Sequence, residues 1–288
     1  MPLSFVKLLG PLVPGANLPD GARVVGTAYE LDPVTAAFNI GTMVRWLDFN
    51  DTWLAAEWGH PSDKLGGDTC SRGLRQPKER RSQHRPPFDG RCLTFPAEFH
   101  AQTAIEAAVT LHPVVAGRLD DIETIVIETQ EAGVRIIDKI GPLANPADRD
   151  HCLQYMVAVA LIHGRLTADD YEDEIAVDTR IDQLREKMEV TENKQFTVDY
   201  FDPDRRSIGN AVQLFFKDGT TSERIVVDYP VGHRRRRDEG IPILMEKFTR
   251  NLATQFNPQR VQDILTACED QERLEHMAVD DFMELWVN

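Results

Sequence analysis

The chain has 288 residues, 42% of them apolar and 27% charged, enough to bury one large core or two smaller ones. Its formal net charge of −15 argues against a nucleic-acid binder, which needs a basic face for phosphates, but leaves room for an anionic ligand in a local Arg/His pocket. The four cysteines, Cys70, Cys92, Cys152 and Cys268, are scattered without a CxxC pair, so the spacing suggests no zinc site, iron–sulfur cluster or disulfide framework and points to a reducing compartment.

Residues 1–30 are rich in Pro and Gly and read as loop. They contain no convincing leader peptide, and no apolar run in the chain is long enough to span a bilayer. At Asp32-Pro33 a helix is expected to begin, with Asp32 as cap and Ala36, Ala37, Ile40, Met43, Val44 and Leu47 at helical spacing. Residues 68–94 carry little apolar content, no periodicity and a basic bias, and read as disordered or as a long irregular loop. Helical spacing returns from Glu98 to Leu111. Ile122 to Ile137 reads as strand, turn, strand, and Asp148 to Gly164 as one helix stopped by glycine. A further helix starts at Thr167 to Tyr171, and a short amphipathic one covers Ile181 to Met188. Strands are expected at Phe196 to Tyr200, Ala211 to Phe216 and Ser222 to Tyr229, with a hairpin turn at Lys217-Asp218-Gly219. Three helices end the chain: Ile243 to Gln255, Pro258 to Cys268 and Leu274 to Trp286. The order helix, mixed α and β, helix suggests two domains.

Four clusters could carry chemistry. The densest is Trp46-Leu47-Asp48-Phe49-Asn50-Asp51-Thr52 followed by Gly59-His60-Pro61-Ser62. Asp48 and Thr52 share a face on a helical turn, and a carboxylate beside an imidazole suits proton transfer. The alternative is that Asp48 and Thr52 cap helices. His151 and Tyr155, at the start of a helix, are also four apart and share a face. Tyr155 could donate to a developing enolate oxygen, or could be a core tyrosine with a satisfied hydroxyl. His100 lies near a helix N-terminus, a natural anion position. His233 is followed by four arginines, which suit pairing with the chain's acids or binding of a polycarboxylate.

RWLDFNDTWLAAEWGHPSDKLGG, FPAEFHAQTAIEAA, GPLANPADRDHCLQYMVAVALIHG, GHRRRRDEGIP and GARVVGTAYELDP together resemble the 2-methylcitrate dehydratase (MmgE/PrpD) family over residues 8–67 and 93–288. The resemblance implies a mainly α fold with an α+β lid and a site at their junction. The discontinuous helical domain would comprise residues 1–92, with 68–92 irregular, and the helices of 236–288; the lid would be 93–235. It implies metal-independent acid/base elimination of water from 2-methylcitrate, giving 2-methyl-cis-aconitate in propionate catabolism, without cofactor. Asp48, Thr52 and His60 match the family's site motif, extended by Ser62; Tyr155 matches a site tyrosine and His100 a site histidine on the lid. Asp48, His60 and Tyr155 are therefore the expected catalytic groups, and Thr52, Ser62, His100 and His151 the expected substrate-binding groups. The partner implied is a small tricarboxylate, not nucleic acid or membrane. The assembly implied is a homodimer, in the cytoplasm or in the mitochondrial matrix of a eukaryote. A sister branch decarboxylates cis-aconitate, although WLDFNDTW and GHRRRR are more similar to the dehydratase branch.

One departure stands out. Family members carry a long helical stretch between the GHPS and FPAEFH segments, and here residues 68–94 replace it. The family's first helices are absent as well. Loss of a helical layer would expose the faces packed on it, at about 25 cal/mol per Å². The chain therefore reads as a shortened or mis-spliced family sequence in which the lid can fold alone and the helical domain is incomplete.

Overall fold

The structure, a computed structural model, describes residues 9–45, 53–54, 58–59 and 94–287. The expected irregular segment 68–94 falls almost wholly outside the described residues.

The first described elements are two short paired strands, β1 (Ala22–Arg23) and β2 (Glu30–Leu31), and the helix α1 (Pro33–Arg45). Asp32 caps α1, its Oδ1 accepting from the amides of Val34 and Thr35 at 3.0 Å each. Strands β3 (Trp53–Leu54) and β4 (Trp58–Gly59) pair antiparallel. Then follow α2 (Gln102–Val115), β5 (Ile122–Thr129), α3 (Glu131–Ile137), α4 (Pro146–Arg149), α5 (Leu153–His163), α6 (Thr179–Arg185), β6 (Met188–Glu192), α7 (Lys194–Phe201), β7 (Asn210–Phe216) and β8 (Ile225–Val227). The chain ends in α8 (Arg237–Leu252), α9 (Pro258–Glu269), α10 (Gln271–His276) and α11 (Val279–Glu284).

These elements form two compact units. One combines the described residues before position 46 with those from 242 onward. Its first core gathers Ala22, Val24, Leu31, Ala36 and Ile40, and its second Leu252, Val261 and Ile264 beneath Phe248, Phe256 and Trp286. The two ends of the chain meet here, where the Gly26 amide donates to the Trp286 carbonyl at 2.7 Å and Arg23 pairs with Glu284. On the outer face of α1, Val34 and Phe38 stand one turn apart, 78% and 61% exposed.

The second unit holds the β3–β4 hairpin and residues 94–241. Its sheet has the order β6-β5-β7-β8, with β5 parallel to β6 and antiparallel to β7. Ile125 lies opposite Leu214, and Ile127 opposite Val212. Helix α2, with the small residues Ala104, Ala107 and Ala108 buried, packs on β7 and β8 and on α5. Helix α5 is buried from Leu153 through Ile162, on every face, as its uniformly apolar sequence demands. Gly164 stops it in the left-handed region at φ 65°, its amide bonded back to the Ala160 carbonyl.

Several sequence expectations need correction. The second half of 122–137 is the helix α3, not a strand. Val134, Ile136 and Ile137 have strand propensity, but burial of Ala132, Gly133 and Ile137 follows a helical face. Phe196 to Tyr200 is helix, because Asn193 caps it with bonds from the Gln195 and Phe196 amides, and the buried pair Phe196 and Tyr200 is one helical turn apart. Strand β6 follows α6, where the sequence suggested only a helix; it pairs parallel to β5, and its alternating burial is shallow. The helix expected over Asp148 to Gly164 is broken at Asp150-His151-Cys152 into α4 and α5. The last expected helix is divided into α10 and α11, and the strand expected over Ser222 to Tyr229 contracts to Ile225–Val227. Thr167 to Tyr171 makes a single 3-10 turn.

Two stability predictions follow from this packing. A Cβ at Gly164 would lie 2.7 Å from the His112 ring as well as forcing a left-handed alanine, so Gly164→Ala should destabilise by at least about 1–2 kcal/mol in chemical denaturation. On the sheet, the Arg224 fork onto Glu128, aided by Asn193, holds the Glu128 carboxyl below its ordinary value of 4.5. Stability from a depressed carboxyl is complete above that ordinary value and is lost as pH falls through the folded one. Glu128→Gln should therefore lower stability in the neutral region and flatten the acid limb below 4.5, so that the mutant and wild-type stability–pH curves converge as the pH falls.

Candidate functional site

The chemistry-bearing residues of the second unit begin in the turn before α2. Gln102, fully buried, clamps that turn: its Oε1 accepts from the Phe95 amide at 3.1 Å, and its Nε2 donates to the carbonyls of Phe95 and Ala97 at 3.0 Å. Glu98 is held here with its side chain 7% exposed. One carboxylate oxygen accepts from the His100 amide at 2.7 Å and starts the 3-10 turn Phe99–Ala101; the other lies 2.7 Å from His100 Nδ1. The far side of the ring places Nε2 3.2 Å from the Tyr200 hydroxyl on α7. Asn210 on β7 closes the arrangement, its Nδ2 donating to the His100 carbonyl at 2.9 Å and to Thr103 Oγ1 at 2.6 Å. His100 is thus part of a Glu98–His100–Tyr200 chain inside the fold, with its side chain 4% exposed.

A second carboxylate–imidazole pair sits in the break between α4 and α5. Asn145 caps α4 by accepting from the Asp148 amide at 2.9 Å. Arg149 turns inward to the Tyr171 carbonyl and to Asp173. Asp150 is buried, and its Oδ1 lies 2.7 Å from His151 Nδ1. The Glu98 amide donates to the Asp150 carbonyl at 3.3 Å, so the two pairs share one backbone joint.

His151 and Tyr155 do not share a helical face, since His151 precedes α5 and Tyr155 lies within it. The Tyr155 hydroxyl donates to the Asp170 carbonyl at 2.7 Å, and its ring stacks on that of Tyr171. Burial raises its pKa well above the usual phenol range. A role as donor to substrate would require this bond to be exchanged. Asp48, Thr52, His60 and Ser62 lie outside the described residues.

The arginine run is mostly structural. Arg236 forks onto Glu106 at 2.7 and 3.0 Å and onto Glu239 at 2.6 and 2.9 Å, and also donates to the Tyr229 carbonyl. Its pKa is raised, by Glu239 first and then by Glu106. Arg235 lies over the Tyr229 ring and donates to the Asp204 carbonyl. Arg234 and Arg237 are exposed. Cys152 and Cys268 are free thiols in different units, and Cys70 and Cys92 lie outside the described residues.

Sequence reasoning singled out His100 and His151 but not the Glu98, Asp150 and Tyr200 side chains that the structure places against their rings. Glu98 and Asp150 had a local signal, a carboxylate within two positions of a histidine and next to a turn. Tyr200 had none, being 100 residues from the ring it meets.

The chain matches two family models, the MmgE/PrpD N-terminal domain over residues 4–68 and the MmgE/PrpD C-terminal domain over residues 95–271. It is 40% identical to the 2-methylcitrate dehydratase of Salmonella typhimurium, over 98% of this chain and 88% of that protein. It is 39% identical to that of Cupriavidus necator, over 97% and 87%. With the mitochondrial 2-methylcitrate dehydratase of Yarrowia lipolytica it shares 37% identity, over 98% and 81%. The first of these alignments extends over 424 positions, against 288 residues here, so more than a hundred positions have no counterpart in this chain. The interval between the two family matches, 69–94, contains the segment that departs from the family pattern.

Removing the buried carboxylate from the first pair should be far more damaging than removing the hydroxyl at its other end. Glu98→Ala strips His100 of its partner and the turn of its cap, and should cost on the order of 3 kcal/mol by chemical denaturation. Tyr200→Phe, which loses one neutral hydrogen bond, should cost about 1 kcal/mol.

Proposed function

Because the chain belongs to the MmgE/PrpD family, we propose that it is a hydro-lyase that dehydrates 2-methylcitrate to 2-methyl-cis-aconitate. The observation that carries this reading is 40% identity to 2-methylcitrate dehydratases across 98% of the chain. In the elimination a C–H bond next to a carboxylate breaks, its electron pair becomes the new C=C bond, and the neighbouring hydroxyl departs with a proton as water. One group must take a proton and another must give one. Asp48 and His60 are the proposed participants, with Thr52, Ser62, His100 and His151 binding or orienting the tricarboxylate and Tyr155 near the enolate-like oxygen. The Glu98 and Tyr200 partners of His100 support an orienting role, since they fix its ring on both sides. A homodimer in the cytoplasm or in the mitochondrial matrix completes the proposal.

The test is incubation of the purified chain with 2-methylcitrate while following absorbance of the unsaturated product. Turnover that drops at least about 100-fold in His60→Ala supports the reading and that residue's role. Full activity of His60→Ala removes the role. Itaconate from cis-aconitate would instead assign the decarboxylation of the sister branch.

The positions missing between the two family matches favour a second reading, a non-catalytic chain that keeps the family's lid without a complete helical domain. Its signature would be absent turnover together with proteolytic cleavage within 68–92 and resistance across 93–235.

A further inference from the structure

Helix α1 lacks the charged outer face that a surface helix ordinarily carries, since it has no ionisable residue from Pro33 to Val44. Its inner face puts Ala36 and Ile40 into the core. On the other side Val34, Phe38 and Gly41 follow one another at spacings of four and three, which is a single stripe along the helix. Val34 and Phe38 project from that stripe into solvent. A Cβ built at Gly41 would meet nothing within 4 Å, so a hollow lies one turn beyond the Phe38 ring. The neighbouring polar groups are already satisfied. The Thr42 hydroxyl donates to the Phe38 carbonyl at 2.7 Å, and Asp32 holds the amides at the start of the helix. Asn39 ties Gly10 to the flank of α1, and the loop leaving Gly10 carries the exposed Leu12 and Val13.

We infer that the Val34–Phe38–Gly41 ridge is a self-association surface, and that its occupant is a second copy of this chain. The inference rests on the homodimer part of the function proposed above, not on its chemistry, and assigns that dimer a surface. Two observations select the occupant. In a chain of net charge −15, an uncharged helix is where two copies can touch without opposing like charges, and it offers no counter-charge to an ionic partner. The ridge is also complementary to itself. With two α1 helices antiparallel about a two-fold axis between positions 39 and 40, Phe38 of each copy enters the hollow at Gly41 of the other. A helix of 13 residues is about 20 Å long and about 10 Å wide with its side chains. Two such faces with the Leu12–Val13 flank bury roughly 600–1,000 Å² in all, less than the roughly 1,200 Å² at which stable complexes begin. The dimer is therefore weak and reversible, with a Kd on the order of 10–100 µM.

The experiment is sedimentation velocity on the full chain from about 1 to about 300 µM, in about 150 mM salt so that the net charge is screened beyond about 8 Å. The wild type should pass from monomer to dimer across that range. Phe38→Gln and Gly41→Gln leave the net charge unchanged, the first removing the projecting ring and the second filling the hollow. Each should weaken the dimer at least about tenfold with the circular dichroism spectrum unchanged. Because Gly41 faces open space, Gly41→Gln decides the matter even if Phe38→Gln disturbs the fold. Val198→Gln, at an equally exposed apolar position on α7, should leave the dimer as it is. A dimer undiminished in both α1 variants overturns this inference and leaves the proposed homodimer to another surface. A monomer at every concentration overturns both, the ridge then being covered from within the chain. Open-ended aggregates in place of a dimer, or equal weakening by Val198→Gln, overturn it in favour of unspecific contact.

Discussion

Glu98 is a buried carboxylate with three attachments, and the arrangement of the second unit depends on them. Its two oxygens fix the backbone and the ring of His100, and its amide fixes the carbonyl of Asp150. A buried carboxylate is tolerated only where partners replace water, and here its oxygens meet the amide and the ring of His100 in the 3-10 turn, while the Glu98 backbone amide ties in the loop at Asp150. Satisfying that one group brings the start of α2, the break before α5 and, through Tyr200, the end of α7 into register. Gln102 holds the turn from behind, so Glu98 has little freedom to choose other partners.

This joint also explains why two histidines with the same chemical neighbour are in different situations. His100 lies between Glu98 and Tyr200 and serves the fold as much as any ligand. His151 sits where a helix has been interrupted, and interruption is what frees a side chain from the helix's own packing. The arginine run shows the opposite outcome. Its position in an acidic chain suggested a polycarboxylate site, but Arg236 meets two glutamates and a carbonyl of its own unit, and Arg235 covers a tyrosine.

The sequence was legible where one physical signal dominated. Asp32-Pro33 marked the start of α1, Gly164 marked the end of α5, and the apolar run of Ala211 to Phe216 marked β7. It misled where local propensity and tertiary burial disagreed. The β-branched residues of 131–137 suggested a strand, but Ala132, Gly133 and Ile137 are buried on one helical face. The aromatic residues of 196–200 did the same until the Asn193 cap is taken into account. The candidate histidines were singled out by type and position, and their carboxylate partners lay within two residues. Which nitrogen each partner holds is a matter of turn geometry, which no periodicity encodes. The family resemblance, carried by long motifs on both sides of the interruption, agrees with the two matched domains.

The exposed Val34 and Phe38 on α1 bear on how the chain behaves in bulk. A bulky aliphatic and an aromatic group on adjacent turns form an adhesive spot that every copy carries, and the chain's excess of 47 acids over 32 basic residues sets copies repelling one another before such spots can touch. That repulsion weakens in concentrated salt and vanishes near the isoelectric point. Colloidal stability is thus governed by ionic conditions, quite apart from the folding free energy, and dilute neutral buffer of low ionic strength is the medium in which non-specific sticking through this spot is weakest.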